Sequence, residues 1–289
     1  MTEQQTIQWF PGHMARTEKQ IAKDLGLCDA VVEILDARIP VSSRNPVLGR
    51  LIGRKPRILL LNRSDLADAA QTARWIQALG PKAAGVLAAD CRSGRGLGKL
   101  FPLITGALHD RIESWNEKGM TGRKIRFMAV GIPNVGKSSL INRLAGGSRT
   151  AVENRPGVTR RNQWYPVGDR FEILDTPGVL WPKIGDKTVG EHLAFTGAVK
   201  DEILDTEQLS GRLLETLGGR YADLLAQRYR LEKEECLSKD GYALLETIGR
   251  KRGMLAGGGE VDTERAARML LDEFRSGKIG RITLEWAEA

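Results

Sequence analysis

The sequence predicts an α/β protein built on a mostly parallel sheet, followed by a small all-α C-terminal domain, and three patterns predict it. Short β-rich runs each end at a loop of polar or glycine residues. Amphipathic stretches with helical spacing separate them. Beyond about residue 187 the strand signals fade and helix-period patterns take over. Such alternation favours a parallel sheet, whose ligands bind at the C-terminal ends of its strands.

The strands fall, in order, at 30–35 before Asp36, 57–61 before Asn62, 85–89 before Asp90, 125–130 before Gly131, and 171–174 before Asp175. Helices are predicted over 69–79, 99–115 and 137–145. The segment 116–124 is polar, bears Gly119 and Gly122, and lacks apolar periodicity, so it reads as an exposed connector. In the C-terminal region the apolar sets are Leu213, Leu214, Leu217, Tyr221, Leu224 and Leu225; then Leu244, Leu245 and Ile248; then Ala266, Met269, Leu270 and Phe274. Gly257-Gly258-Gly259 reads as a flexible turn among them. The expected domains are 1–186 and 187–289.

Composition sets the outer limits. A chain of 289 residues is long enough for two domains, and 41% hydrophobic with 28% charged residues excludes both membrane-embedded and disordered classes. The longest apolar runs, such as 58–61, fall far short of the roughly 20 residues of a bilayer span. The segment from Met1 to Thr6 has neither the basic nor the apolar region of a secretory signal, so a cytoplasmic location is expected. Cys28, Cys91 and Cys236 are odd in number and widely spaced, and read as reduced thiols. His13, His109 and His192 form no H-x-x-x-H pair, which argues against a metal site built by histidines. The net charge of +8 is uneven: 28 Lys and Arg against 17 Asp and Glu up to Asp186, then 16 against 19 from Lys187 on. That excess suits a polyanionic partner, the other reading being a merely soluble basic surface.

The chemistry lies at the strand ends. Gly131-Ile132-Pro133-Asn134-Val135-Gly136-Lys137-Ser138 fits G-x-x-x-x-G-K-[ST] between a predicted strand and a predicted helix. Glycines let backbone N–H groups turn inward around phosphates, and the helix presents the positive end of its dipole. The expected nucleotide contacts here run through Asn134, Val135, Gly136, Lys137, Ser138 and Ser139. Lys137 lies against the β- and γ-phosphates and Ser138 ligates Mg²⁺. Asp175-Thr176-Pro177-Gly178 then supplies a magnesium aspartate, Asp175, and a backbone N–H for the γ-phosphate, Gly178. Thr159, in the basic segment Arg155-Pro156-Gly157-Val158-Thr159, suits a further Mg²⁺ ligand or an ordinary turn residue.

Asn62-Arg63-Ser64-Asp65 has the form N-[KR]-x-D after a strand. Its carboxylate can accept from guanine N1–H and the 2-amino group, where adenine has no donors, so GTP is chosen over ATP. Arg63 stands where lysine is usual, and its planar stem can still cover the base. Asp90, Cys91 and Arg92 open a further loop, Asp90-Cys91-Arg92-Ser93-Gly94-Arg95-Gly96, expected to offer backbone N–H to guanine O6. Base recognition thus precedes the phosphate loop, the reverse of the usual order. The first domain is a circularly permuted P-loop GTPase domain, and 116–124 joins what would ordinarily be its termini.

The chain resembles the bacterial ribosome biogenesis GTPase A family over essentially its whole length. The resemblance rests on Gln8-Trp9-Phe10-Pro11-Gly12-His13-Met14, on Asp36-Ala37-Arg38-Ile39-Pro40 with Ser42-Ser43-Arg44-Asn45-Pro46, on the phosphate loop with Pro133-Asn134, on Asp175-Thr176-Pro177-Gly178 followed by Trp181-Pro182-Lys183, and on Lys251-Arg252-Gly253. It implies GTP hydrolysis during late assembly of the large ribosomal subunit, stimulated by the pre-ribosome, with a helical domain that binds ribosomal RNA. The implied partners are GTP and GDP and a precursor of the large subunit, its RNA and proteins. No membrane partner is expected, and off the ribosome the protein is expected to be a monomer. Val179 occupies the place of the usual water-orienting glutamine, and the resemblance points to His13, in the Pro11-Gly12-His13 turn, as its substitute; on residues alone a histidine there reads as structural. It also implies a K⁺ ion held by Asn134.

Arg250-Lys251-Arg252, with Arg275, Lys278 and Arg281, are candidate phosphate contacts or a solvated helix face. The alternative function is a nucleotide-dependent RNA-binding switch or scaffold with incidental hydrolysis. A P-loop kinase is the third reading, and Asn62-Arg63-Ser64-Asp65 argues against it.

Overall fold

Strands β1 (Ala30–Asp36), β2 (Arg57–Asn62), β3 (Gly85–Ala88), β4 (Ile125–Val130), β5 (Gln163–Val167) and β6 (Phe171–Asp175) form one sheet in the order β3-β2-β1-β4-β6-β5. The computed structural model describes residues 11–146 (11–17 by backbone only), 163–176, 178, 180, 184–199, 201, 204–238 and 240–288. All neighbours pair in parallel except β5 and β6. β1 is buried at every position, and β2 at every position after its first, which is why Val31-Val32 and Ile58-Leu59-Leu60-Leu61 read as continuous apolar runs.

The expected strands are present within one residue of their ends, and β5 is an addition. It contains Pro166, which cannot donate to a ladder and is tolerated because within the sheet β5 pairs with β6 alone. Helices α1 (Pro11–Leu25) and α2 (Pro46–Ile52) bury Ile21, Leu25, Leu48 and Ile52 against Val31, Met128, Val130 and Leu174. α3 (Ala69–Leu79) covers Leu35, Leu59 and Leu61. Phe101 of α4 (Leu100–Ala107) packs against Phe127 and Phe171, residues that alternate with those just named and so face the other side.

Two details depart from expectation and one, at the exposed connector, adds to it. The helix expected at 99–115 is broken at Leu108, with α5 (His109–Glu117) following and running into the connector. The connector is also pinned: Arg123 stacks on Trp115 at 3.9 Å and pairs with Asp29 at 3.3 Å. Pro11-Gly12-His13, expected as a turn, is helical and belongs to α1. α6 (Lys137–Leu144) follows the phosphate loop as expected.

The chain divides into two compact units, Met1–Gly190 with Glu285–Ala289, and Glu191–Leu284. The division falls within α7 (Lys187–Phe195), and the last five residues belong to the first unit, not to the helical one. The helical unit contains α8 (Thr206–Tyr229), α9 (Lys233–Ser238), α10 (Gly241–Lys251) and α11 (Thr263–Arg275) around Leu213, Leu217, Leu225, Leu245, Ile248, Leu270 and Phe274. Asp205, Asp240 and Asp262 cap α8, α10 and α11 by accepting from backbone N–H groups. α8 and α10 cross at Gly211 and Gly241, where a Cβ on Gly241 would stand 2.0 Å from the Gly211 carbonyl oxygen. Gly257–Gly259 forms a short 3-10 turn in this unit. Among the described residues no helix is long and apolar enough to cross a membrane.

Candidate nucleotide site

The phosphate loop spans the end of β4 and the start of α6, and its glycines are required by neighbours. A Cβ on Gly131 would lie 2.7 Å from the Ile34 carbonyl oxygen, and one on Gly136 would lie 2.1 Å from Asn62 Nδ2. Gly136 also has φ +105, and Asn134 adopts φ +57, a left-handed conformation that asparagine tolerates better than most side chains. Lys137 is only 6% exposed. Burial pulls its ammonium down to about 8, partly opposed by the negative charge of Asp175. Ser138 and Ser139 are half-buried in the first turn of α6.

Asp175 ends β6 opposite Ala129 of β4, two residues before Gly131. Thr176 Oγ1 fixes that strand end by donating to the Ala129 carbonyl at 2.8 Å. A Cβ on Gly178 would sit 2.9 Å from both Lys137 Nζ and Pro133 Cα, so the chain passes the lysine as closely as backbone can. The hydroxyl of Ser138 and the carboxylate of Asp175 are hard oxygen donors of the kind Mg²⁺ takes.

Asn62-Arg63-Ser64-Asp65 is locked to this loop. Asn62 Nδ2 donates to the Val135 carbonyl at 2.7 Å while its Oδ1 accepts from Cys91 N at 2.9 Å. Arg63, held at φ +59, donates from Nη2 to the Asn134 carbonyl at 2.6 Å and approaches Asp36 Oδ2 at 3.7 Å. Ser64 N donates to the Ala89 carbonyl at 3.2 Å. Asp65 differs from these: its Oδ1 is buried and has no hydrogen-bond partner among the described residues. A buried carboxylate oxygen left unpaired is costly, and a ligand N–H removes that cost.

The loop after β3 is held by its own aspartate. Asp90 accepts from Arg92 N at 2.9 Å and Ser93 N at 3.3 Å, while Gly94 N donates to the Asp90 carbonyl and Arg95 N to Ser93 Oγ. Burial would raise the Asp90 carboxyl, but hydrogen bonds from Ser93 and the backbone of Arg92 outweigh it and hold it below the usual range. The N–H groups of residues 91–95 therefore all have acceptors within the chain. Arg143 of α6 donates to the Ser93 carbonyl and ties this loop to the phosphate-loop helix. Cys91 is buried, which pushes its thiol up and keeps it unreactive.

One part of this assembly has no assigned role in the sequence reading. Asp36 and Arg38 form a fully buried pair at 2.7 Å, with Arg38 Nε also donating to Asp36 Oδ1 at 2.9 Å. Burial would raise the Asp36 carboxyl, but Arg38 and, farther off, Arg63 hold it below the usual range. The signal was present, an acidic residue at a strand end followed two residues later by arginine. The contact of Arg143 has no local signal, because it joins residues 50 apart. Thr159 and Val179 lie outside the described residues, and so does the side chain of His13, whose backbone belongs to α1.

A mostly parallel sheet with this glycine loop, the Asn62-Arg63-Ser64-Asp65 segment that precedes it in the chain, and an aspartate at the neighbouring strand end define a circularly permuted P-loop GTPase. Residues 126–213 match the family model described as 50S ribosome-binding GTPase. The chain is 45% identical over 281 residues to a ribosome biogenesis GTPase A of Priestia megaterium, covering 97% of this chain and 96% of that one. It is 35% identical to the mitochondrial ribosome-associated GTPase 1 of Mus musculus, covering 96% and 89%. Among solved structures it is similar to a GNP-bound YlqF from T. maritima, with 27% identity, a TM-score of 0.63, and 94% and 99% coverage. The chain belongs to the ribosome biogenesis GTPase A family.

Proposed function

We propose that this GTPase serves late assembly of the large ribosomal subunit, docking on the RNA and proteins of the precursor in its GTP state and leaving after hydrolysis. The observation that supports this most is the kinship with ribosome biogenesis GTPase A proteins along nearly the whole chain. It works in the cytoplasm, as a monomer off the ribosome.

In this reading Asp65 accepts from guanine N1–H and the 2-amino group, and its buried, unpaired Oδ1 supports the assignment. Asn62 and Arg63 hold Asp65 in register with the phosphate loop. A contact to guanine O6 from the loop after β3 requires one of its long bonds, at Ser93 N or Arg95 N, to be exchanged for the base. Asn134, Val135, Gly136, Lys137, Ser138 and Ser139 surround the phosphates, and Gly178 offers its N–H to the γ-phosphate. Ser138, Asp175 and Thr159 would hold Mg²⁺, and Asn134 would hold K⁺. These ions supply positive charge beside the transferred phosphoryl group. His13 orients the attacking water.

The helical unit sorts its cations into two kinds. Arg275 is committed to architecture: it pairs with Asp201 at 2.7 Å and donates to the carbonyls of Ala194 and Phe195. Arg250, Lys251 and Arg252 instead end α10 beside Arg228 and Arg230 at the end of α8, with Lys251 Nζ donating to the Arg230 carbonyl at 2.6 Å. Glu273 and Glu235 are the acids seen to pair with this corner. Arg230 holds φ +56, where glycine would be easier, and its side chain is exposed. This corner is the proposed RNA-phosphate contact, and Lys278 and Arg281 are further candidates.

Sedimentation with immature and mature large subunits in GDP, GTP and a non-hydrolysable analogue tests the proposal. Binding to immature particles only in the triphosphate state is expected, and His13→Ala is expected to abolish particle-stimulated hydrolysis with GTP affinity nearly intact. Binding independent of the nucleotide, or no stimulation by either particle, would contradict it and favour a scaffold with incidental hydrolysis.

A further inference from the structure

Glu285–Ala289 belongs to the nucleotide-binding unit although it follows the helical one in the chain, and Glu285 and Ala287 are anchored by more than packing. The carboxylate of Glu285 accepts from Val41 N at 2.5 Å, from Ser42 N at 2.9 Å and from the Ser42 hydroxyl. Its own carbonyl accepts from Trp75 Nε1 of α3 at 2.8 Å, and Ala287 N donates to Gln71 Oε1 at 3.3 Å. Three charge-assisted donors converging on one carboxylate form a specific clasp, stronger than neutral hydrogen bonds of the same number.

What the clasp grips is the loop between β1 and α2, and that loop reaches the nucleotide site. Ser43, next to the clasped Ser42, accepts from Asp36 N at 3.0 Å and donates to the Ile39 carbonyl at 2.7 Å. Asp36 holds Arg38 and attracts Arg63, and Arg63 donates to the Asn134 carbonyl in the phosphate loop. Every member of this chain of contacts lies in the first unit. From Glu285 to Asn134 it passes through Ser42 and Ser43, Asp36 and Arg63, its longest step being the 3.7 Å ion pair of Arg63 with Asp36.

We propose that Glu285 is a positioning residue for nucleotide binding, holding the loop of Asp36 and Arg38 so that Arg63 fixes the phosphate loop in its binding shape. Because Leu284 immediately before it closes the helical unit, the point of grip is also the point where the chain leaves that unit. By linkage, a tighter clasp and tighter nucleotide favour one another, and loss of either weakens the other.

The test needs no ribosome, so its failure is separate from failure of the assembly role. Glu285→Gln and a chain ending at Leu284 are compared with the unaltered protein, using a fluorescent GDP for dissociation rates and GTP for steady-state kinetics. Both variants are expected to release GDP about three- to tenfold faster. The change should appear in KM more than in kcat, and Glu285→Asp should recover part of it. Thermal unfolding of each variant controls for misfolding, and if the truncated chain proves unstable, Trp75→Phe, which removes one anchor, serves in its place. GDP release within the error of the unaltered protein in folded Glu285→Gln overturns the proposal. So does an equal loss in kcat and KM that tracks the melting temperature, since that is the mark of general destabilisation.

Discussion

The loops at 62–65 and 90–96 both follow a strand end and both carry an aspartate, yet they use it in opposite ways. Asp90 spends its carboxylate on its own backbone, accepting from Arg92 N and Ser93 N. Asp65 keeps Oδ1 buried and without a hydrogen-bond partner among the described residues. The difference separates a residue that shapes a loop from the one we propose to read the base: a satisfied carboxylate has little to gain from a base, whereas an unsatisfied one gains the full value of the bonds it was missing. The phosphate side repeats the contrast, because Lys137 is buried at a cost that its ammonium recovers only beside another negative charge.

The largest expected effect that would break or sharpen this contrast comes from Lys137→Ala, which should weaken GDP and GTP binding by about a hundredfold, measured by equilibrium titration. A loss below about threefold would place the lysine outside the phosphate contacts. Next is pH. With the free-protein value of Lys137 lowered to about 8, the side chain is uncharged above that pH, while phosphates favour the ammonium. Nucleotide binding should therefore take up a proton above pH 8, with affinity falling by up to about tenfold per pH unit there and flat below it, as far as this group is concerned. Calorimetry in buffers of different ionisation enthalpy reads the uptake directly. The smallest effect is expected at Asp90→Asn, about threefold in GDP affinity, since an amide oxygen still accepts from the backbone. A hundredfold loss there would mean that Asp90 contacts the base.

The same contrast explains what the sequence could and could not reveal. Strands β1, β2 and β4 were readable because central parallel strands are buried on both faces and so are written as apolar runs. β5 was not, because Gln163-Trp164-Tyr165-Pro166-Val167 carries a proline and an exposed glutamine, features that only an edge permits. The break at Leu108 was hidden by an apolar pattern that continues across it. The motif residues that the structure brings together, Asn62 and Arg63 with the phosphate loop, could be named from their spacing. The contacts that hold them could not. Arg63 reaches Asn134 across 71 positions and Glu285 reaches Ser42 across 243, distances over which no local pattern survives. The committed role of Arg275 was likewise invisible, because a basic helix end looks the same whether its charge faces solvent or Asp201.

The most direct test of the account is a nucleotide swap at Asp65. Guanine carries a 2-amino donor where xanthine carries a carbonyl acceptor, and Asp65→Asn replaces an acceptor with a group that can donate. Binding of GDP and XDP is measured for both proteins. The unaltered chain should prefer GDP, and the variant should lose about a hundredfold in GDP affinity while gaining XDP. Unchanged GDP affinity in a folded Asp65→Asn protein would contradict the assignment of Asp65 as the guanine reader.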